Sequence, residues 1–395
     1  MVMSQLIKRK AEESIQSWSN TRKILLVLGA RQVGKTTLLK NYFRDHKTTY
    51  LNLDVETDKL AFLRAASLDP RSAVKSLSDP EVIILDEAQR LPDAARVVKG
   101  WYDYEIPVKV VMSGSSSLNL LDQTAESLTG RNIKLYLPPL LFSEIMAFQE
   151  WYSPFGGRAE LGLFSNQIES LLLTSMVFGS YPEAVTTSDK QHYLTNLVTD
   201  YLLKDILHSG LIKTPEIIHR LLSLLAYQSG SMVSVNELAN SLNISRVTVD
   251  RYLDLLEQTF VIFRLPAFSN NPRKEISKSQ KIFFWDTGVR NALINEFNTH
   301  ANRPDIGKLW ENWVVAEFAK SIFLEGNLKT IYFWRSRSGS EVDLIIKDSS
   351  GGLKAFEIKW SGGRVTKSFT SEYKIPVNLI HKGNFTDYLL LKAKI

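Results

Sequence analysis

The feature that most constrains this chain is a glycine-bearing run at residues 29–36, Gly-Ala-Arg-Gln-Val-Gly-Lys-Thr. It matches the pattern G-x-x-x-x-G-K-[ST], and it lies between an apolar run at 23–28 and a helical pattern at 36–43. Such a loop between a strand and a helix directs backbone N–H groups and a helix N-terminus at phosphate oxygens. The run therefore predicts a P-loop that binds ATP with Mg²⁺, and the alternative is an accidental match.

Within this loop, we expect Lys35 to bridge the β and γ phosphates and the Thr36 hydroxyl to ligate Mg²⁺. The residues predicted to contact the nucleotide are Gly29, Ala30, Arg31, Gln32, Val33, Gly34, Lys35, Thr36 and Thr37.

An apolar strand at 82–85 ends in Asp86 and Glu87. Carboxylates that follow a buried strand must face a ligand crevice or solvent. We expect Asp86 to hold the Mg²⁺ hydration shell and Glu87 to polarise the water that attacks ATP. A solvated strand end is the simpler alternative.

Two further positions could reach the γ-phosphate. The strand at 108–112 is followed by Ser-Gly-Ser-Ser, and we favour Ser115 over Ser113 as the residue that senses the phosphate. Arg131 follows Gly130 and could reach a phosphate of the same or a neighbouring subunit. A plain turn and an ordinary surface arginine are the respective alternatives.

The distribution of apolar residues predicts several domains in an α/β chain. Residues 1–165 alternate strand and helix and predict a parallel sheet, and residues 166–230 predict a helical connector or lid. Residues 231–270 read as helix, turn, helix and strand, the order of a winged helix-turn-helix, with Ser245 capping the second helix. A polar stretch with a proline at 269–274 marks the last boundary, and 271–395 predict a C-terminal α/β domain.

A second constellation lies in residues 333–360. Side chains alternate in a strand, so Glu357 and Lys359 share one face, and Asp343 in the preceding strand lies close to Glu357. Asp343 and Glu357 could bind Mg²⁺ while Lys359 stabilises charge or orients a water, as metal-assisted phosphodiester hydrolysis requires. The alternative is a solvent-facing ion pair of Glu357 with Lys359.

Together these motifs resemble a prokaryotic AAA-type ATPase family close to the STAND and archaeal ATPases. The resemblance covers nearly the whole chain and rests on the segments 29–37, 86–89, 113–115, 130–131, 137–144 and 179–183. It implies a helical lid, a sensing serine near 113–115 and Arg131 as an arginine finger. It also implies that the Gly-Ser-Tyr-Pro loop ending at Pro182 approaches the adenine or ribose.

In the same family the ATPase is joined to a winged helix and a C-terminal domain of restriction-nuclease type. The order Asp343, Glu357, Lys359 is similar to the PD-(D/E)xK nuclease core, and Glu311 takes the place of that fold's helical glutamate. The resemblance thus implies a metal site formed by Asp343, Glu357 and Glu311. Domains of this shape also serve as docking modules, so cleavage is a separate question.

Composition limits the partners. The chain has no cysteine and no apolar run long enough to span a membrane, and residues 1–10 lack the pattern of a signal peptide, so we expect a soluble, cytoplasmic protein. Of the net charge of +6, residues 331–395 carry +5, which suggests a polyanionic partner. The second helix of the winged helix has a net charge of −1, which argues against DNA reading there.

Two functions are therefore open. The first is an ATP-driven switch whose C-terminal domain binds, and could cut, DNA or RNA. The second is a nucleotide-gated regulatory protein whose C-terminal domain is an inactive module for a protein partner. An oligomer is compatible with both.

Overall fold

The structure, a computed structural model, describes residues 6–114, 128–153, 161–202, 215–269, 280–326 and 328–391. The chain folds as two compact units. We call Arg9–Pro138 the P-loop unit, and Pro139–Ile395 with Met1–Lys8 the C-terminal unit. Over the described ranges, no helix is both long enough and apolar enough to cross a bilayer.

The P-loop unit alternates strands and helices, as its apolar pattern predicts. Its strands are β1 (Ile24–Leu28), β2 (Thr48–Asn52), β3 (Val82–Asp86), β4 (Lys109–Gly114) and β5 (Asn132–Tyr136). Its helices are α1 (Ala11–Ser19), α2 (Lys35–Tyr42), α3 (Glu56–Ala66), α4 (Pro70–Ser76) and α5 (Ala94–Asp103), with a 3₁₀ turn at Ala88–Arg90.

The five strands of this unit form one parallel sheet in the order β2-β3-β4-β1-β5. Every residue of β1 and β3 is buried, as expected of a sheet that is covered on both faces. Since β4 lies between β1 and β3, the carboxyl ends of these three strands meet at one edge. The predicted α/β class is confirmed, and this edge carries the P-loop, Asp86 and Ser113.

The C-terminal unit begins as a helical region. Its helices are α6 (Phe142–Ala147), α7 (Ser165–Phe178), α8 (Pro182–Thr186), α9 (Lys190–Asn196), α10 (Pro215–Tyr227), α11 (Val235–Leu242), α12 (Arg246–Gln258), α13 (Thr287–Leu293), α14 (Ile306–Leu324), α15 (Lys367–Tyr373) and α16 (Phe385–Leu389), and a π-helical turn spans Leu197–Leu202. Its strands are β6 (Ile262–Leu265), β7 (Lys281–Phe284), β8 (Lys329–Arg335), β9 (Glu341–Asp348), β10 (Leu353–Ile358) and β11 (Val377–Ile380).

Helices α11 and α12 have the predicted bounds, because their ends carry local signals. The Ser245 hydroxyl accepts a hydrogen bond from Thr248 N at 3.1 Å, which is the predicted cap of α12. Helix α11 ends at Leu242 and is followed by Asn243, which adopts the left-handed conformation that asparagine tolerates. Strands β6 and β7 then pair antiparallel, with Leu265 opposite Lys281.

The strands on the two sides of the predicted boundary at 270/271 pair with each other. The predicted boundary at 270/271 falls inside this hairpin, and the boundary predicted at 165/166 lies within the C-terminal unit, which begins at Pro139. A polar connection with a proline has the composition of a linker whether it joins two domains or two paired strands. The last boundary therefore stays a prediction, because composition does not distinguish these two cases.

The C-terminal sheet has four strands in the order β11-β10-β9-β8. Strand β9 is antiparallel to both β8 and β10, whereas β11 is parallel to β10. Helix α14 contributes Trp310, Trp313 and Phe318 to an apolar core that also includes Phe333 of β8 and Phe356 of β10. The core fixes α14 beside the sheet, so polar groups on these elements are held at defined positions.

Candidate functional site

The P-loop connects β1 to α2 in a conformation that its glycines permit. Gly34 has a φ of 92° and directly precedes α2, and Gln32 also has a positive φ, 63°. A Cβ atom on Gly29 would lie 2.2 Å from the carbonyl oxygen of Leu137, so only glycine fits there. The residues predicted to contact the nucleotide, 29–37, thus form one continuous loop and the first turn of α2.

Lys35 lies across this loop. Its side chain is buried, and its ammonium donates hydrogen bonds to the carbonyl oxygens of Gly29 and Ala30, both at 2.9 Å. In the P-loop motif the backbone N–H groups of this loop hold the phosphates, and the lysine reaches the β and γ phosphates. The lysine is therefore within reach of the predicted phosphate site.

Asp86 is the centre of a hydrogen-bond network at the end of β3. Its Oδ2 accepts hydrogen bonds from Thr36 Oγ1 at 2.5 Å and from Tyr50 OH at 2.6 Å. Its Oδ1 accepts one from Ser113 Oγ at 2.5 Å. Burial would raise the pKa of Asp86, but these three hydrogen bonds outweigh that effect, so its pKa is lowered and it is ionised at neutral pH.

A Mg²⁺ ion fits the donors at this position. Mg²⁺ prefers hard oxygen ligands and retains several of its waters. The Thr36 hydroxyl and the ionised carboxylate of Asp86 are adjacent oxygens of that kind, beside Lys35. Of the residues predicted to bind Mg²⁺, these two are in contact.

Glu87 has an unusual backbone. With φ 51° and ψ 41° it is left-handed, a conformation that non-glycine residues adopt at a cost and that recurs at functional sites. Its carboxylate accepts a hydrogen bond from Gln89 Nε2 at 2.5 Å, and its N–H donates to Asp86 Oδ1 at 3.1 Å. The turn thus places a second carboxylate directly after Asp86.

The second constellation lies in the C-terminal unit. Glu311 of α14 and the two β9 residues Glu341 and Asp343 offer carboxylate oxygens within 4.8 Å of one another. Lys281, the first residue of β7, lies among them, with Nζ 2.7 Å from Glu311 Oε1 and 3.9 Å from Asp343 Oδ1. Nζ also contacts Glu341 Oε1.

These charges alter one another's ionisation. Burial alone would lower the pKa of Lys281, but the three carboxylates outweigh it and its pKa is raised. Burial raises the pKa of Glu311 to about 7, against the opposing charge of Lys281, and it also raises the pKa of Asp343. Glu341 and Lys281 are thus parts of the cluster that the sequence did not identify.

Glu357 makes polar contacts of its own beside that cluster. Its Oε2 accepts a hydrogen bond from Thr366 N at 2.8 Å, and its Oε1 is 3.3 Å from Lys359 Nζ. Asp343 Oδ2 accepts one from Ile358 N at 2.7 Å, so Asp343 and Glu357 lie on neighbouring strands as predicted. The three carboxylates that the structure groups most closely include Glu341, which was not in the predicted set, and do not include Glu357. Glu357 does pair with Lys359, but the Glu357 side chain is only 10% exposed, so this is not the solvent-facing pair of the alternative, and a metal held by Asp343 and Glu357 stays a prediction.

Comparison with known proteins identifies the P-loop unit. Residues 21–146 match the AAA domain family, whereas residues 169–300 and 306–388 match two domains of unknown function, DUF8612 and DUF4143. A Walker-type ATPase of Pyrococcus abyssi is similar in fold, with a TM-score of 0.52 at 15% identity over 74% of this chain and 97% of that chain. Residues 21–146 are an AAA-type P-loop domain.

The likeness to curated proteins extends well beyond the AAA domain. An uncharacterized protein of Mycobacterium tuberculosis is 28% identical over 89% of this chain and 74% of its own length. An uncharacterized protein of Methanocaldococcus jannaschii is 27% identical over 82% of this chain and 72% of its own length. The similarity to both relatives therefore covers most of each chain.

Arg131 lies at the opposite edge of the AAA domain from its P-loop. It directly precedes β5, whose first residue pairs with Ile24 at the beginning of β1, whereas the P-loop follows the end of β1. Its guanidinium pairs with Asp103, with Nε 2.7 Å from Oδ1. A strand of five residues spans roughly 16 Å, so action on a phosphate of the same subunit is not supported. Action on a neighbouring subunit stays a prediction.

The two serine candidates have different outcomes. Ser115, the favoured sensor, lies outside the described residues. Ser113 is buried at the end of β4 and holds Asp86. Ser113 therefore contacts Asp86, and the sensing role of Ser115 stays a prediction.

Two residues of the P-loop unit support the site and were missed by sequence reasoning. Arg9 is buried and donates to Val33 O in the P-loop at 2.8 Å and to Pro138 O at 2.7 Å. Tyr50 of β2 reaches Asp86 from the neighbouring strand, and burial together with its hydrogen bond to Asp86 raises its pKa. The parallel pairing of β2 with β3 is the signal that could have indicated Tyr50.

The loop that precedes Pro182 is built into the C-terminal unit. Gly179 has a φ of 70°, and a Cβ atom there would lie 2.0 Å from Asp286 Oδ1. Ser180 N donates to Asp286 Oδ2 at 2.7 Å, and Lys320 Nζ lies 2.8 Å from Ser180 Oγ. Pro182 begins α8. These contacts give the loop a structural role, and a nucleotide contact by Pro182 stays a prediction.

Proposed function

We propose that this protein binds ATP with Mg²⁺ in the P-loop of its AAA domain and hydrolyses it, so that the bound nucleotide acts as a switch. The observation that carries the proposal is the convergence of Lys35, the Thr36–Asp86 pair and Glu87 at one edge of the parallel sheet. A lysine, a hydroxyl with a carboxylate, and a second carboxylate are the groups that P-loop hydrolysis uses. We place this activity in the cytoplasm, where ATP is available.

Each residue has a distinct role in this proposal. Lys35 exchanges the loop carbonyls for oxygens of the β and γ phosphates, and the backbone N–H groups of the P-loop bind the same phosphates. Thr36 and Asp86 hold the metal ion, which, when bound, neutralises the phosphate charge. Glu87 orients the attacking water and accepts its proton. Gln89, which bonds the Glu87 carboxylate, positions that base.

Two substitutions separate binding from hydrolysis. Lys35→Ala should lose most MgATP binding, because the cation that faces the phosphates is removed. Glu87→Gln should bind MgATP with an affinity close to that of wild type and hydrolyse it at least 100-fold more slowly. Isothermal titration calorimetry and phosphate release measure the two properties. Exposed Lys75→Ala and Glu56→Gln, in the same unit, are the controls. Normal turnover by Glu87→Gln would mean that another group is the base.

Arg131 is our candidate for a residue that a neighbouring copy supplies. It lies at the surface of the P-loop unit, away from its own P-loop, and its partner Asp103 is also partly exposed. If the protein assembles, a mixture of Arg131→Ala and Lys35→Ala chains should regain part of the ATPase rate that each variant lacks. Failure to regain activity in a mixed assembly would exclude this role.

The C-terminal unit has two candidate roles. In both, we interpret α11, α12 and the β6–β7 hairpin as a winged helix. One is binding of a nucleic acid, for which the charge of +5 in residues 331–395 is the support. The other is docking of a protein partner, which the position of Lys281 among the carboxylates favours over a catalytic site. Stimulation of the ATPase rate by DNA or RNA, lost at high salt, would favour the first role. A rate unaffected by both would favour the second.

A further inference from the structure

The resemblance to restriction nucleases raises a question that the C-terminal unit itself can answer. Such a domain would need a divalent metal on acidic residues between α14 and the sheet. In the part of the chain that the structure describes, the carboxylates grouped closely enough are those of Glu311, Glu341 and Asp343. Mg²⁺ requires oxygens on several sides at about 2.1 Å, with water filling the remaining positions. The ion would therefore have to bind at the point where the three carboxylates converge.

That point already holds a cation of the chain. The side chain of Lys281 is only 3% exposed, and its ammonium lies 2.7 Å from Glu311 Oε1 while it also contacts Glu341. Asp343 Oδ1 is 3.9 Å away. An ammonium has three donors and no acceptor, so it suits three surrounding carboxylates. A divalent ion among the same oxygens would lie beside this positive charge in a buried site, where repulsion is only weakly screened.

Lys281 is also fixed at its backbone. As the first residue of β7, it pairs with Leu265 of β6 on one side and forms an isolated bridge with Met232 on the other. Gly230, in the segment before Met232, lies against Glu311, since a Cβ atom on Gly230 would lie 3.3 Å from the Glu311 carboxylate. The backbone of Lys281 is therefore fixed beside the cluster, and its almost fully buried side chain is held there by the carboxylates.

Glu357, the remaining carboxylate of the predicted set, also has hydrogen-bond and ion-pair partners within the chain. Glu357 accepts the backbone N–H of Thr366 and pairs with Lys359. Two lysines, Lys281 and Lys359, therefore pair with the acidic groups of α14 and the C-terminal sheet. The residues present do not fit the metal that the nuclease resemblance implies.

We infer that Lys281 is the resident cation of the Glu311, Glu341 and Asp343 cluster, which ties the β6–β7 hairpin to α14 and the mixed sheet and does not hold a catalytic metal. The C-terminal unit therefore does not cleave phosphodiesters by a metal bound at this cluster. This inference goes beyond the proposed ATPase and is independent of it, because none of these residues belongs to the P-loop unit.

The inference is tested by counting bound Mn²⁺ in the full chain without nucleotide, by electron paramagnetic resonance. Wild type and Glu311→Gln should bind the same number of ions, because the cluster holds none in either. Lys281→Ala should bind one more ion per chain, and Lys281→Ala with Glu311→Gln should lose it again. Lys329→Ala removes a lysine from the exposed pair with Glu325 and should change nothing.

Two outcomes would overturn the inference. Loss of one Mn²⁺ in Glu311→Gln relative to wild type would place a metal in the cluster despite Lys281. A folded Lys281→Ala protein that gains no ion would show that the ammonium is not what excludes the metal. If Lys281→Ala does not fold, Lys281→Met keeps the apolar part of the side chain, and the comparison of wild type with Glu311→Gln still decides.

Discussion

Arg9 is a buried arginine of the P-loop unit that joins the P-loop to the segment after β5. Two guanidinium bonds of Arg9, to Val33 O and Pro138 O, are 2.8 and 2.7 Å long. Arg9→Ala removes both bonds and the packing of the side chain. The carbonyl oxygen of Val33 then loses the donor that fixes its orientation, and the phosphate-binding N–H groups of the loop become less ordered.

The magnitude follows from the two bonds. A hydrogen bond from a charged donor contributes about 1.5–3 kcal/mol, so the pair sets a range of roughly 3–6 kcal/mol. Water that enters the space left by the side chain can satisfy both carbonyls, so we expect the lower end, about 3 kcal/mol of unfolding free energy. If about 1.4 kcal/mol of this loss is the free energy that Arg9 contributes to ordering the P-loop, MgATP should bind about tenfold more weakly to Arg9→Ala.

The assays are urea unfolding and MgATP titration of Arg9→Ala. Arg22→Ala is the matched control, because Arg22 also makes an ion pair, with Glu105, but its side chain is 47% exposed. The control should change the unfolding free energy by at most about 1 kcal/mol and leave MgATP affinity unchanged. If Arg9→Ala behaved like Arg22→Ala in both assays, the reasoning that Arg9 holds the P-loop would be refuted.

Three further predictions concern Asp86 and Gly179. Tyr50→Phe removes a donor from Asp86, so half-maximal ATPase activity should need severalfold more Mg²⁺; an unchanged requirement would contradict this. The pKa of Asp86 is lowered in the folded protein, so its ionised carboxylate stabilises the fold at pH values above the ordinary pKa of 3.8. The difference in unfolding free energy between wild type and Asp86→Asn should therefore stay constant from pH 8 to 5 and shrink only as the pH falls below 3.8. Gly179→Ala should cost more than about 2 kcal/mol, because its Cβ would collide with Asp286, whereas Gly326→Ala, with φ 79° and open space, should cost about 1 kcal/mol.

Local signals account for what the sequence could predict. The P-loop, the apolar strands and the capped helix α12 are each encoded within about a dozen neighbouring residues, and all are found where they were expected. Strand β5 was missed because its residues, Asn-Ile-Lys-Leu-Tyr, mix polar and apolar types at the edge of the sheet.

Pairings between distant segments account for what the sequence could not predict. Lys281 meets Glu311 only because β7 pairs with β6 and α14 packs beside both, and a single sequence carries no mark of that pairing. Arg131 follows a glycine and suggested an arginine finger, yet the parallel register of β5 with β1 puts it at the edge away from the P-loop. Spacing along the chain does not indicate which end of a strand a residue occupies.

The central claim is that Lys35, Thr36 and Asp86 form the site of a metal-bound triphosphate. The most direct measurement is a crystal structure of the Glu87→Gln protein grown with MgATP. We predict Lys35 Nζ on the β and γ phosphates, released from the carbonyl oxygens of Gly29 and Ala30, with Thr36 Oγ1 on the metal. Lys35 still bonded to those two carbonyls, with no nucleotide at the loop at saturating MgATP, would contradict the claim.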